Sequence, residues 1–168
     1  MLHENVISAD YPTVLALDLG KTCTGTALFQ DGKIISSALE MPEDYEWFFM
    51  ERLENTIRKM KSKNIAYEYV PFQQGRANEH WHSLHGILKA VAQKHKCTLI
   101  PIPQGTWKKH VVGFANFSKP TRKAEKLNYM VIKALAIRAI IVEDHNEADA
   151  IGVLLTALET GVVERVGE

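Results

Sequence analysis

Val14-Leu15-Ala16-Leu17-Asp18-Leu19-Gly20 is the stretch from which the architecture unfolds. Its apolar side chains fall on both parities, the pattern of a central strand covered on both faces. Residues 24–29 predict a second strand, Asp31-Gly32 a hairpin turn and residues 33–39 a third strand. Trp47, Met50, Leu53, Ile57 and Met60 recur every three or four positions and predict a helix over 43–61. Pro42 precedes it, and Glu43, Asp44 and Glu46 suit its positive end. Residues 65–70 predict a strand, 71–78 a loop, and 79–95 a helix apolar along Trp81, Leu84, Leu88, Val91 and Ala92. Residues 97–102 predict a strand ending at Pro103, followed by a long irregular stretch over 104–119. Helices over 120–138 and 146–158 complete the series. The order β-β-β-α-β-α-β-α-α predicts an α/β fold. Its mixed sheet has about five strands, an antiparallel meander followed by parallel strands, with helices on both faces.

The chain of 168 residues is long enough for one full core, and a single domain is expected over 1–168 with its core at about 13–158. Hydrophobic residues make up 46% and charged residues 24%, the balance of an ordinary globular protein. Lys+Arg and Asp+Glu are 20 each, which excludes a polycationic, histone-like binder but not an enzyme with a local basic surface. Cys23 and Cys97 form neither a CxxC pair nor a disulfide framework, and two reduced thiols suit a cytosol. No apolar run is long enough to span a membrane, and MLHENVISAD lacks the features of a secretory signal. Asp18-Leu-Gly-Lys-Thr with Thr24-Gly25 also looks like the phosphate loop of actin-like ATPases and sugar kinases. Those folds close two such domains around a nucleotide and need roughly twice this length, so no nucleotide cofactor is expected.

Three acids stand out. Asp18 interrupts an apolar strand, where an unpaired carboxylate is costly unless it ends the strand or binds a cation. Glu68 shares a strand face with Ala66 and Val70, and is either an inward acid or an edge-strand surface acid. Asp149 opens an apolar helix, either as part of a capping pair with Asn146 as N-cap or as a group pointing out of the helix end. Together, three carboxylates without a Cys/His set favour hard divalent cations and phosphoryl chemistry over zinc hydrolysis. The complementary charge lies between Gly105 and Lys126. Lys108, Lys109, Lys119, Arg122, Lys123 and Lys126 face a single acid, Glu125, with Trp107, Phe114 and Phe117 interleaved. Such a segment neutralises phosphates and stacks on bases, or is a solvated helix face with buried aromatics.

Asp18-Leu-Gly-x-x-x-Thr24-Gly25, Glu68, Trp107-Lys-Lys-His-Val-Val-Gly113 leading to Ser118-Lys119, and Glu147-Ala-Asp149-Ala150 occur in the order found in RuvC-like Holliday-junction resolvases. Over about 13–158 the chain resembles a compact, bacteriophage-type member. The resemblance implies a ribonuclease-H-like fold and a cytoplasmic protein of a bacterial or phage-infected cell. It implies a homodimer nicking four-way and branched DNA in recombination, repair or packaging, with the helix around Gly86 at the dimer interface. Asp18, Glu68 and Asp149 then correspond to ligands of two Mg²⁺ ions, replaceable by Mn²⁺. Water attacks the phosphorus in line and leaves 5′-phosphate and 3′-hydroxyl ends. Lys108 and Lys119 match the functional lysines, Lys119 offsetting charge on the phosphate; Lys109, Arg122, Lys123 and Trp107 join them as DNA contacts. Three departures accompany the match. Bacterial members carry a fourth carboxylate where this chain has Asn146, leaving Asn146 through a water, or His145 beside it, as the remaining candidates. Phe72 is the best match for the base-stacking aromatic but is displaced by one position behind Pro71. The loop from Gly113 to Lys119 keeps the first glycine of the family's glycine-rich loop and lacks the second. The rival expectations are a nuclease of the same fold acting on RNA–DNA hybrids or R-loops, and an inactive junction-binding protein, which Asn146 keeps open.

Overall fold

The computed structural model describes residues 2–4, 11–60, 63–70, 77–113 and 131–163. Six strands form one sheet: β1 (Leu2–Glu4), β2 (Val14–Asp18), β3 (Cys23–Gln30), β4 (Lys33–Glu40), β5 (Asn64–Tyr69) and β6 (Thr98–Pro103), in the order β1-β4-β3-β2-β5-β6. The first three pairings, β1–β4, β4–β3 and β3–β2, are antiparallel, and β2–β5 and β5–β6 are parallel. The mixed sheet thus matches the expected meander and parallel half, with β1 as an added edge strand. Asp31 and Gly32 both take positive φ, 51° and 77°, as a two-residue turn matched to strand twist requires.

Helices α1 (Tyr45–Lys59), α2 (Ala77–His95), α3 (Gln104–Val112), α4 (131–137 as described) and α5 (His145–Glu159) cover the sheet. Alternate residues of β2 feed two cores. Val14 and Ala16 join Ala27, Phe29 and Ala66 beneath Trp107 of α3, Leu135 of α4 and Ile151 and Leu155 of α5. Leu15 and Leu17 join Ile65 and Tyr67 beneath Phe49, Leu53 and Ile57 of α1 and Leu84, Leu88 and Val91 of α2. Among the described residues no helix is long and apolar enough to cross a membrane.

Two expectations change. The buried stripe of α1 runs through Phe49, Leu53 and Ile57, while Trp47 is 66% exposed. Phe49 replaces it because residues 47–49 are all aromatic, and a rotation of the helix chooses between them. The irregular stretch after Pro103 begins instead as α3, which buries Trp107, Lys108 and Val111. A lysine among the three buried residues of a nine-residue helix hides the helical period. Gly113 ends α3 in the left-handed region at φ 91°. The helix expected over 120–138 is present where it is described, over 131–137.

Candidate active site

Sheet register builds the site. Leu17 pairs with Tyr67 in the parallel β2–β5 ladder, and continuing that register brings Asp18 level with Glu68. Both lie on the parity of Ala16 and Ala66, the face under α5. They therefore stand side by side at the carboxyl ends of adjacent parallel strands, where crossover connections leave a crevice. On the other flank Asp18 pairs with Gly25 of β3. The turn between them is tight: a Cβ on Gly20 would lie 2.1 Å from the Cys23 carbonyl oxygen. Buried Thr24 donates its hydroxyl to the Gly20 carbonyl over 3.1 Å.

Gly25 brings the third acid in. A Cβ there would lie 1.9 Å from the Asn146 carbonyl oxygen and 3.2 Å from the Ala150 Cβ, so α5 rests directly on the β3 backbone. Helix α5 starts earlier than expected. Asp144, not Asn146, is its N-cap, and the Asp144 carboxylate accepts from the Asn146 and Glu147 amides at 2.8 and 3.0 Å. Asn146 and His145 consequently stand three and four residues before Asp149, on its flank of the helix. His145 is exposed and Asn146 partly buried. Glu147 turns the other way and accepts a 2.6 Å hydrogen bond from Ser36 of β4.

Asp18, Glu68 and Asp149 share one electrostatic neighbourhood. Burial raises the Asp18 carboxyl well above its usual range, Glu68 and Asp149 add to the shift by repulsion, a hydrogen bond donated by the protonated Asp18 carboxyl to Glu68 adds further, and Lys108 opposes it. Asp149 is pushed up to about 7, first by burial, with Lys108 opposing and Glu68 and Asp144 reinforcing. Its Oδ1 is buried without a hydrogen-bond partner. Among the described residues no three such side chains converge into a ready-made metal cage. Asp18 and Glu68 share a proton and Asp149 acts on Asp18 through charge alone; their oxygen-only donor set with one orphaned buried oxygen fits a hard divalent cation. Asp144 is the residue that sequence reasoning missed: it repels both Asp149 and the half-buried Cys23 thiol, whose pKa burial raises first. Its only sequence signal was an acid two positions ahead of the expected cap.

Helix α3 serves the site from below. Trp107 is fully buried and donates its indole N–H to Glu68 Oε1 over 2.9 Å. That overturns the expected base-stacking role, because a ring with no exposed surface cannot meet a base. Lys108 is also buried, its ammonium 5.1 Å from the Trp107 ring centroid and opposing the charge of the acids. It therefore serves the acid cluster and is not presented as a surface phosphate contact. Lys109 is exposed on α3. Lys119, Arg122, Lys123 and Phe72 lie outside the described residues.

The raised Asp149 carboxyl has a consequence for stability. Its folded value near 7 exceeds the unfolded value of about 3.9, so the native state binds the proton more tightly. Stability from this group is fully present below about pH 4 and is lost as pH rises through about 7. Asp149→Asn is therefore expected to raise the metal-free melting temperature at pH 8 by several degrees, of order 2 kcal/mol after discounting for Lys108 and partial exposure. The gain should shrink toward zero near pH 4. Scanning calorimetry in chelator across that range checks it; a pH-independent difference would contradict the assignment.

No family model matches the sequence, and no curated protein matches it. Solved structures do. RuvC of T. thermophilus in complex with a Holliday junction substrate superposes with TM-score 0.67 over 92% of this chain and 99% of that chain, at 15% identity. A second Thermus thermophilus RuvC structure gives 0.65 over 91% and 99%, also at 15% identity. The Fowlpox virus resolvase with its substrate Holliday junction DNA gives 0.52 over 88% and 99%, at 9% identity. Together with the strand order and the seating of α5 on β3, these superpositions identify the architecture: the chain has the RuvC-type, ribonuclease-H-like fold.

Proposed function

We propose that this protein is a divalent-metal-dependent endonuclease that nicks four-way and branched DNA. The observation that supports the reading is that Asp18 lies within electrostatic reach of both Glu68 and Asp149, with Asp149 Oδ1 buried and unpaired. Asp18, Glu68 and Asp149 would hold the cations, with Asn146 three residues before Asp149 on α5. Magnesium or manganese held there, two ions per site, supplies water activation and stabilisation of charge on the scissile phosphate. The chain's own groups do the rest. Trp107 and the β2–β5 register orient the carboxylates, and Lys108 offsets their mutual repulsion. Lys109 on α3, with Lys119, Arg122 and Lys123 further along the chain, supplies charge along the DNA backbone, and Lys119 offsets charge developing on the scissile phosphate. A homodimer pairs two such sites for two strands through one patch used twice, the α2 face carrying exposed Gly86.

The test is nicking of a synthetic four-way junction beside flaps, forks and RNA–DNA hybrids at matched salt, with Mg²⁺, Mn²⁺ or Ca²⁺, and light scattering of the protein with and without junction. Selective nicking of the junction in Mg²⁺ or Mn²⁺ by a dimer is expected. Preference for hybrids would move the reading to a hybrid nuclease, and binding without cleavage in any ion would make it an inactive junction binder.

A further inference from the structure

Trp107 makes two contacts that concern different acids of the site. Its Nε1–H donates to Glu68 Oε1 over 2.9 Å, wholly inside the protein. The six-membered edge of the same ring lies against Gly152 of α5 so closely that a Cβ on that glycine would fall 2.7 and 2.8 Å from two ring carbons. Gly152 follows Asp149 by three residues, so it belongs to the same side of α5. The indole is therefore wedged between β5, which carries Glu68, and α5, which carries Asp149, and no part of it is exposed. Nothing in a simple core requires an indole here, since Phe or Leu would fill volume without placing a donor on a buried carboxylate. A neutral N–H is also the appropriate partner: it fixes one carboxylate oxygen without pairing the charge away.

We propose that Trp107 is a positioning residue for the cation site: it locks the Glu68 carboxylate through Nε1 and sets the seat of α5 through Gly152, so that Glu68 and Asp149 are presented to a divalent cation in a fixed relation. The inference rests on the acid pocket being the cation site. Loss of an outer partner that orients a metal-binding carboxylate weakens metal affinity by about 10–100-fold without removing a ligand.

The experiment compares wild type, Trp107→Phe, a variant with 3-benzothienylalanine at 107, and Glu68→Gln, each as the full chain. The benzothienyl group keeps the bicyclic shape and the contact with Gly152 and replaces only the N–H by sulfur, so it covers the case in which the phenylalanine variant fails to fold. Mn²⁺ affinity is read by titration calorimetry, and nicking rate as a function of Mn²⁺ concentration. In the benzothienyl variant the Mn²⁺ dissociation constant should rise about tenfold. Its rate at saturating Mn²⁺ should return to within about threefold of wild type, since no group that touches the reacting atoms is lost. Its melting temperature in chelator should stay within about 3 °C of wild type, so that a change in Mn²⁺ affinity does not report a failure to fold. An Mn²⁺ isotherm identical to wild type in that folded variant overturns the proposal. Glu68→Gln separates the two levels: if it binds Mn²⁺ as wild type does, the cation pocket itself is misassigned; if it loses Mn²⁺ while the benzothienyl variant does not, only the role of Trp107 falls.

Discussion

Asp18→Asn is expected to lower nicking of a four-way junction on the order of 10³-fold or more, while junction affinity in Ca²⁺ stays within a few-fold. Asp18 lies at the end of β2, level with Glu68 and within electrostatic reach of Asp149, so its loss removes a charge from the proposed cation site. Asparagine keeps the shape of the side chain and one acceptor but no charge to share between cations. Asp18 is not among the proposed DNA-binding residues, and one fewer negative charge near a phosphate does not weaken binding. The same substitution should stabilise the metal-free protein above neutral pH, because burial and two neighbouring carboxylates make the ionised Asp18 unfavourable. A variant that is dead, binds DNA and melts higher than wild type would combine all three expectations. Undiminished cleavage would remove Asp18 from the chemistry.

Gly25→Ala should damage the protein in a different way. The added methyl would meet the carbonyl oxygen and carbon of Asn146 at 1.9 and 2.6 Å, and backbone in the first turn of a helix cannot swing aside as a side chain does. Helix α5 must lift from β3, at a cost of about 2–3 kcal/mol. The lift displaces Asp149 from Asp18 and Glu68, so activity and Mn²⁺ affinity should fall with stability, unlike in Asp18→Asn. The comparison uses chemical denaturation and Mn²⁺ titration of both variants. A Gly25→Ala protein with wild-type stability would mean that α5 does not rest on β3.

The meander and the three acids were legible because each carries a strong local signal. An apolar run on both parities marks β2, and Asp31-Gly32 has the residues that two positive φ angles demand. Asp18 and Glu68 violate an apolar pattern at the ends of strands, and parallel pairing then aligns them without further information. Other features depend on tertiary context. Whether Trp47 or Phe49 faces the core is decided by a rotation of α1 against the sheet. The brief strand β1 has no pattern of its own and exists through pairing with β4. Helix α3 escaped notice because the side chains it buries are Trp107, Lys108 and Val111, a set whose logic appears only when Glu68, Asp149 and Asp18 surround it. The same blindness assigned Trp107 to DNA. Sequence shows an aromatic among basic residues, and only the structure shows that its N–H is committed to a buried carboxylate. The cap of α5 was misplaced by two residues because Asp144 and Asn146 are both good N-cap residues, and the contact of α5 with Gly25 settles which turn comes first.

The most direct measurement is anomalous X-ray diffraction from crystals of the full chain grown with Mn²⁺. Density for manganese in contact with Asp18, Glu68 and Asp149, and absent from crystals of Asp18→Asn, is the expected result. Manganese bound elsewhere, with no density in contact with those three carboxylates, would contradict it.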